Sequence, residues 1–283
     1  MYKFYFPFYY LFYSRLKTKI DQISWFIIFI IPPFLIAYVY SEINLLSYIV
    51  LFLLSQIVFN TLYEVGYIEN DISTTKNEKT PTLRLDPKSA KYIKNNYLKI
   101  IYFRYIIVLI SLGILYWINN YFDFKLNVFS FLVLLIINRV FFYWHNSVRN
   151  RWNLLTFSVL AITKYIFPII LFVHSDKLFY PCLFAIIVFP ILRIIEHSTH
   201  KRYNFIKYAK LIGNHDKFRI LYYGVFSILT LGLFIFSVIK KEDFLVIISI
   251  FIYFLIYRLS SYFLVKRGMY KRDDLKNKDL YVR

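Results

Sequence analysis

The sequence predicts an all-α integral membrane protein, with about eight transmembrane helices in a 4+4 repeat around a central cavity. Three observations predict it. Of the 283 residues, 59% are hydrophobic and the mean hydropathy is +0.52, against roughly 45–50% apolar content in soluble domains. The apolar residues gather into eight runs, each near the roughly 20 residues a spanning helix needs. Finally, the connections after runs one, three, five and seven are short, whereas those after runs two and six are long and charged. Two halves of four helices therefore repeat one architecture.

Taken in order, the chain opens with MYKFYFPFYYLFYSRLKTKI. Aromatic bulk precedes the basic run and no small-residue cleavage site follows, which argues against a cleaved signal. Residues 1–22 read as an interfacial segment, aromatic face in lipid and Lys17 and Lys19 among head groups. The eight runs cover about 24–40, 43–66, 98–118, 126–145, 153–173, 178–195, 218–239 and 244–265. Pro32-Pro33 should kink or break the first, and Pro168 and Pro190 fall in the fifth and sixth. Residues 67–97 and 196–217 form the two long loops, and 266–283 form a basic tail. Within the first loop, Asp86-Pro87 reads as an N-cap followed by Pro at the first helical position, starting a short helix. The whole, 1–283, reads as a single transmembrane domain.

The formal charge of +19 is distributed by topology. The loops on one side hold only Lys125, Lys177, Lys240 and Lys241, and the remaining loop lysines and arginines lie on the other. The positive-inside rule puts both termini and both long loops in the cytoplasm, and the chain in a bacterial inner membrane. The same pattern argues against nucleic acid as a partner. Cys182 is the single cysteine, which excludes an intramolecular disulfide and a cysteine-based metal site. With six glycines and no GxGxxG or GxxxxGK[ST], a glycine-rich nucleotide loop is not expected. The 31 Phe and 28 Tyr suit an aromatic cavity wall, but the compositional drift of an AT-rich coding sequence accounts better for the bulk of them.

The stretch Tyr63–Arg84, YEVGYIENDISTTKNEKTPTLR, is anomalous. Carboxylates and amides at the end of a membrane helix are costly unless they bind something. If the helix continues past Gly66, then Asp71, Thr74 and Glu78 share one face beside Asn70. Two carboxylates and an amide so placed suit Mg²⁺, a hard cation that keeps waters and bridges to substrate phosphates. Lys88, Lys91 and Lys94 read as a solvated basic stripe. In the second loop Glu196, His200 and Asn204 fall at i, i+4 and i+8, crowded by Arg193, Lys201 and Arg202, a second metal or phosphate site. Lys164, near the middle of its run, should face the cavity and meet an anion or a carboxylate. Asn60 and Glu64 line the approach, and Arg104, Arg139 and Arg258 can snorkel toward the membrane surface, with helix packing the favoured reading for Arg104 and Arg258.

The first loop resembles the UbiA superfamily of intramembrane prenyltransferases, whose first motif is N-D-x-x-D-x-x-x-D, trailed by a Pro and an Arg. Asn70 and Asp71 match its opening, Thr74 and Glu78 stand at its second and third acidic positions, and Pro81 and Arg84 match the trailing pair. The family's second motif, D-x-x-x-D, falls on Glu196 and His200. The resemblance implies Mg²⁺ held by Asn70, Asp71, Thr74, Glu78, Glu196 and His200. It also implies a prenyl diphosphate bound through Arg84, Arg193, Lys201 and Arg202, and catalysis by Asn70, Asp71 and Lys164. The reaction implied is prenyl transfer to an acceptor. One branch of the family instead moves phosphoribosyl from phosphoribosyl diphosphate to a polyprenyl phosphate. With Thr74 and His200 in place of two aspartates, a lipid-binding or transport protein on the same scaffold is a third reading.

Overall fold

The computed structural model describes residues 1–74, 83–148, 150–236 and 241–269. These are overwhelmingly helical and contain no β-strand. Among the described residues, seven helices are long and apolar enough to cross a membrane, eight if one bent pair counts as a single span. The chain is a multi-pass membrane protein by this measure. It divides into two compact units, Met1–Leu183 and Phe184–Arg283. That boundary lies later in the chain than the midpoint of the repeat expected from loop lengths.

In the first unit a 3₁₀ turn, Tyr2–Tyr5, and α1 (Tyr9–Ser14) precede the first span. The Thr18 hydroxyl and Asp21 carboxylate form a reciprocal capping box, fixing where α2 (Lys19–Phe29) begins. Pro32 and Pro33 occupy the first turn of α3 (Ile31–Tyr40), where their missing N–H groups cost nothing. The first run is thus broken at Ile30, as its prolines predict. Asn44 caps α4 (Leu45–Ile72) through the Ser47 N–H at 3.0 Å. The expected cap at Asp86 forms too: its carboxylate accepts from the Ser89 N–H at 2.9 Å and starts α5 (Pro87–Asn95). Then follow α6 (Tyr97–Phe122), α7 (Val128–Ser147) and α8 (Trp152–Phe172), with Pro168 inside α8.

The helix α4 is the hub of this unit and packs against α6, α7 and α8. Gly66 makes its approach to α7 possible. A Cβ at Gly66 would fall on the Phe142 ring, and the Gly66 carbonyl accepts from the Asn146 amide at 3.0 Å. Below α4, Phe4, Tyr10, Ile68, Ile93 and Ile100 close a core in which the N-terminal segment and α5 take part. Residues 1–22 are therefore only partly interfacial, because Phe4, Tyr10 and Leu11 are buried in protein. Helix α4 also runs past Gly66 to Ile72, so Asn70 and Asp71 lie on its last turn instead of in a loop.

The second unit holds the C-terminal half of α9 (Phe179–Val188), then α10 (Pro190–Ser198), α11 (Ile206–Ile212), α12 (His215–Phe236) and α13 (Lys241–Lys266). Helices α9 and α10 meet at 41°, where Pro190 interrupts the hydrogen-bond ladder. Carbonyls freed in an apolar setting need new donors. Tyr222 and Tyr223 of α12 supply them, their hydroxyls donating to the Ile187 and Val188 carbonyls at 2.5 and 3.0 Å. The pair α12–α13 packs along its length, with Tyr223 stacked on Phe254 and Phe226 on Phe251 at 4.9 and 5.2 Å.

Candidate functional site

Three acids project from the C-terminal half of α4, and each meets an arginine from a different element. The Glu64 carboxylate accepts from Arg104 of α6 at 2.6 Å and from the Leu11 N–H at 2.8 Å. Arg104 spends its other donors on the Phe4 and Phe6 carbonyls at 2.9 and 3.0 Å. Both side chains are fully buried. Arg104 packs inside the protein, the reading favoured for it over snorkelling, and Glu64 faces protein instead of a cavity approach, because a buried acid is tolerated only with a partner and further hydrogen bonds. Glu69 pairs with Arg139 of α7, and the Tyr97 hydroxyl donates to it at 3.3 Å.

Asp71 is the most elaborately held. Its side chain is 2% exposed. Arg15 grips both carboxylate oxygens at 2.8 and 3.0 Å, Tyr10 donates at 2.7 Å and Arg84 at 3.3 Å. The Arg15 guanidinium also lies 4.5 Å over the Tyr67 ring, a cation–π contact one turn from the salt bridge. Asn70 and Thr74 are beside it. The Thr74 hydroxyl turns back to the Asn70 backbone and side-chain oxygens at 2.7 and 3.0 Å, closing the helix end and engaging the amide oxygen expected to bind metal. The structure thus brings together Asn70, Asp71, Thr74 and Arg84, while Glu78 and Pro81 lie outside the described residues. Arg15 and Tyr10 were missed because they are far away in sequence. The one signal that could have found them was a surplus of cations and hydroxyls in a segment otherwise written for lipid.

Lys164 meets ring faces, not a carboxylate. Its ammonium sits 4.3 Å from the Phe29 ring centroid and 4.6 Å from that of Tyr63, and it makes no ion pair among the described residues. Tyr63 stands two turns before Asp71 on the same face of α4 as Tyr67, so the face carries Lys164, Arg15 and Arg84 in succession. A shallow hollow lined by Phe12, Gln22, Ile23, Trp25, Phe26 and Ile27 opens on this unit. It contains none of the predicted site residues.

In the second unit Glu196 is 3% exposed and also held by two arginines. Arg193 donates at 2.6 Å, and Arg219 of α12 reaches both oxygens while also pairing with Asp216. The expected helical face of Glu196, His200 and Asn204 does not form. Helix α10 ends at Ser198, the Thr199 hydroxyl bonds back to the Glu196 carbonyl at 2.7 Å, and Asn204 adopts φ +57°. Thr199 and Asn204 both favour such turns over continued helix. His200 is thereby separated from Glu196, with its ring 4.9 Å from that of His197. Lys201 and Arg202 are exposed, and Arg202 lies 5.2 Å over Tyr203. The second arginine on Glu196 is thus Arg219, which the sequence reading did not name for this site. Arg258 is buried, in keeping with the helix-packing reading favoured for it, and its Nε has no acceptor among the described residues.

These geometries test the Mg²⁺ expectation. An Mg²⁺ site needs open carboxylate oxygens in near-octahedral array. Here the oxygens of Asp71 and Glu196 are already taken by guanidinium groups. Among the described residues no three His, Cys, Asp or Glu side chains are grouped to hold a metal. The donor sets at Asp71 and Glu196 do not fit the ion. No family model, curated protein or solved structure matches the chain.

The electrostatics of Asp71 yield a pH prediction. Burial first, then the neighbouring carboxylate, raise the Tyr10 phenol far above its usual range. A group whose folded pKa is raised stabilises fully below its unfolded pKa, about 10 for tyrosine, and loses that contribution as pH rises beyond it. The stability advantage of the wild type over Tyr10→Phe should be constant below about pH 10 and shrink above it. Melting both proteins in detergent across that range checks this. A difference unchanged into the alkaline range would refute the linkage.

Proposed function

We propose that the protein recognises the phosphorylated head group of a membrane lipid at the Asp71 cluster, using guanidinium groups instead of Mg²⁺. The observation that carries this reading is the cationic surplus: among the described residues, Arg15 and Arg84 share a single carboxylate. Arg84 keeps 33% of its side chain exposed, leaving donors for an incoming anion. Burial and the adjacent Arg15 cation lower its pKa, and an approaching anion relieves that strain between like charges. A planar guanidinium matches phosphate oxygens in bidentate fashion. The Tyr63 and Tyr67 rings, with Lys164, continue the site along α4 toward the membrane interior. By the positive-inside pattern, we take the cluster and both termini to face the cytoplasm. A polyprenyl phosphate is the lipid that the resemblance to UbiA proteins suggests.

A second reading is Mg²⁺-dependent transfer, of a prenyl group from its diphosphate or of phosphoribosyl to a polyprenyl phosphate. The convergence of Asn70, Asp71, Thr74 and Arg84 favours it. It requires Asp71 to release Arg15 and Tyr10. One experiment separates the two. Purified protein is titrated with polyprenyl phosphate, in Mg²⁺ and in EDTA, and incubated with radiolabelled prenyl diphosphate or phosphoribosyl diphosphate. Recognition predicts binding that survives EDTA and weakens about ten- to a hundredfold in Arg84→Gln, the range for a hydrogen bond to a charged group. Labelled lipid product formed only with Mg²⁺ establishes transfer. Neither binding nor product sinks both readings.

A further inference from the structure

A separate surface of the first unit is strongly basic. From Leu83 to Lys99 the chain carries Arg84, Lys88, Lys91, Lys94 and Lys99 against one acid, Asp86. That acid is consumed as the α5 cap, bonded to Tyr13 and the Ser89 N–H. Helix α5 buries Ser89 and Ile93 against the Phe4–Tyr10 core. Lys88, Lys91 and Lys94, at i, i+3 and i+6, form the opposite, exposed stripe, and Lys99 is exposed in the first turn of α6. None of the four makes an ion pair among the described residues.

We propose that α5 and the start of α6 form a docking surface for anionic phospholipid. Two further features select lipid over a soluble polyanion. Leu83 is 75% and Leu98 78% exposed, one on each side of the lysine stripe. An exposed leucine at each end of a basic helix suits insertion at the boundary of head groups and acyl chains, where lysines meet phosphate. The surface also joins directly to a span, since α6 begins two residues after α5 ends, so it lies at the membrane boundary. The inference rests on the membrane-spanning character of the chain and not on the Asp71 reading.

The test uses the full-length protein in neutral detergent, titrated with phosphatidylglycerol and with phosphatidylcholine. Phosphatidylglycerol is expected to bind at least tenfold more tightly at low salt, a preference that collapses as salt rises. Lys88→Gln/Lys91→Gln/Lys94→Gln should lower phosphatidylglycerol affinity by up to roughly a hundredfold at low salt. Lys88→Arg/Lys91→Arg/Lys94→Arg should retain it, which separates charge from folding. Leu83→Ser/Leu98→Ser should weaken both lipids. An undiminished preference in the glutamine variant overturns the proposal. So does heparin binding as tightly as phosphatidylglycerol with no sensitivity to the leucine changes, the behaviour of a surface for soluble polyanions.

Discussion

Arg104→Met should destabilise the first unit by about 3–5 kcal/mol, the cost of removing one partner from a buried ion pair. Arg104 and Glu64 are both fully buried. Methionine fills much of the same volume, so the loss is electrostatic more than steric. It leaves the Glu64 carboxylate with backbone N–H donors such as that of Leu11 and no cation, and strips the Phe4 and Phe6 carbonyls of their Arg104 donors. The N-terminal segment should loosen with it, because those carbonyls are how Arg104 ties the segment to α6. Removing both charges behaves differently. Arg104→Met/Glu64→Leu should recover most of the loss, since an apolar replacement of a whole buried pair is often neutral or better. Thermal or denaturant unfolding in detergent reads the three proteins side by side. If Arg104→Met unfolds like the wild type, the buried pair is not what holds the N-terminal segment.

Gly66→Ala should cost about 1–3 kcal/mol, the usual range for overpacking a well-filled interior. The added Cβ meets the Phe142 ring near its attachment to the chain, which cannot swing aside as a flexible tip would. Phe142 is itself buried, edge-on to Tyr63 at 4.8 Å and to Tyr67 at 5.6 Å. A displaced ring therefore disturbs the face that carries Arg15 and Lys164. The backbone of α4 would also have to retreat from α7, straining the Asn146 hydrogen bond to the Gly66 carbonyl. Phe142→Leu should relieve part of the strain, so Gly66→Ala/Phe142→Leu should be less destabilised than the sum of its single changes. Strict additivity in unfolding free energies would show that the α4–α7 contact yields elsewhere.

Several features of the chain are written locally. Each span reads from a predominantly apolar run of about 20 residues, because a helix in hydrocarbon must satisfy its own backbone. The breaks at Ile30 and Phe189 follow from the prolines beside them, and the α5 start from Asp86-Pro87, since a missing N–H and a side-chain cap act within one turn. The clustering of Asn70 and Asp71 with Arg84 was likewise legible as a motif. At Glu196 the same kind of spacing misled. Periodicity assumes that helix continues, and Thr199 and Asn204 ended it.

What the carboxylates bind could not be read from their spacing. By itself the sequence determined that Glu64, Glu69 and Asp71 gather at the end of a span, and that such acids need partners. Only the tertiary structure decided that the partners are Arg104, Arg139, Arg15 and Arg84. Burial makes a lone charge costly wherever it occurs, but neutralising it depends on distance in space. Arg15 precedes Asp71 by 56 residues and Arg139 follows Glu69 by 70. Separations of that length leave no period in the sequence, and the fold alone brings them within hydrogen-bond reach.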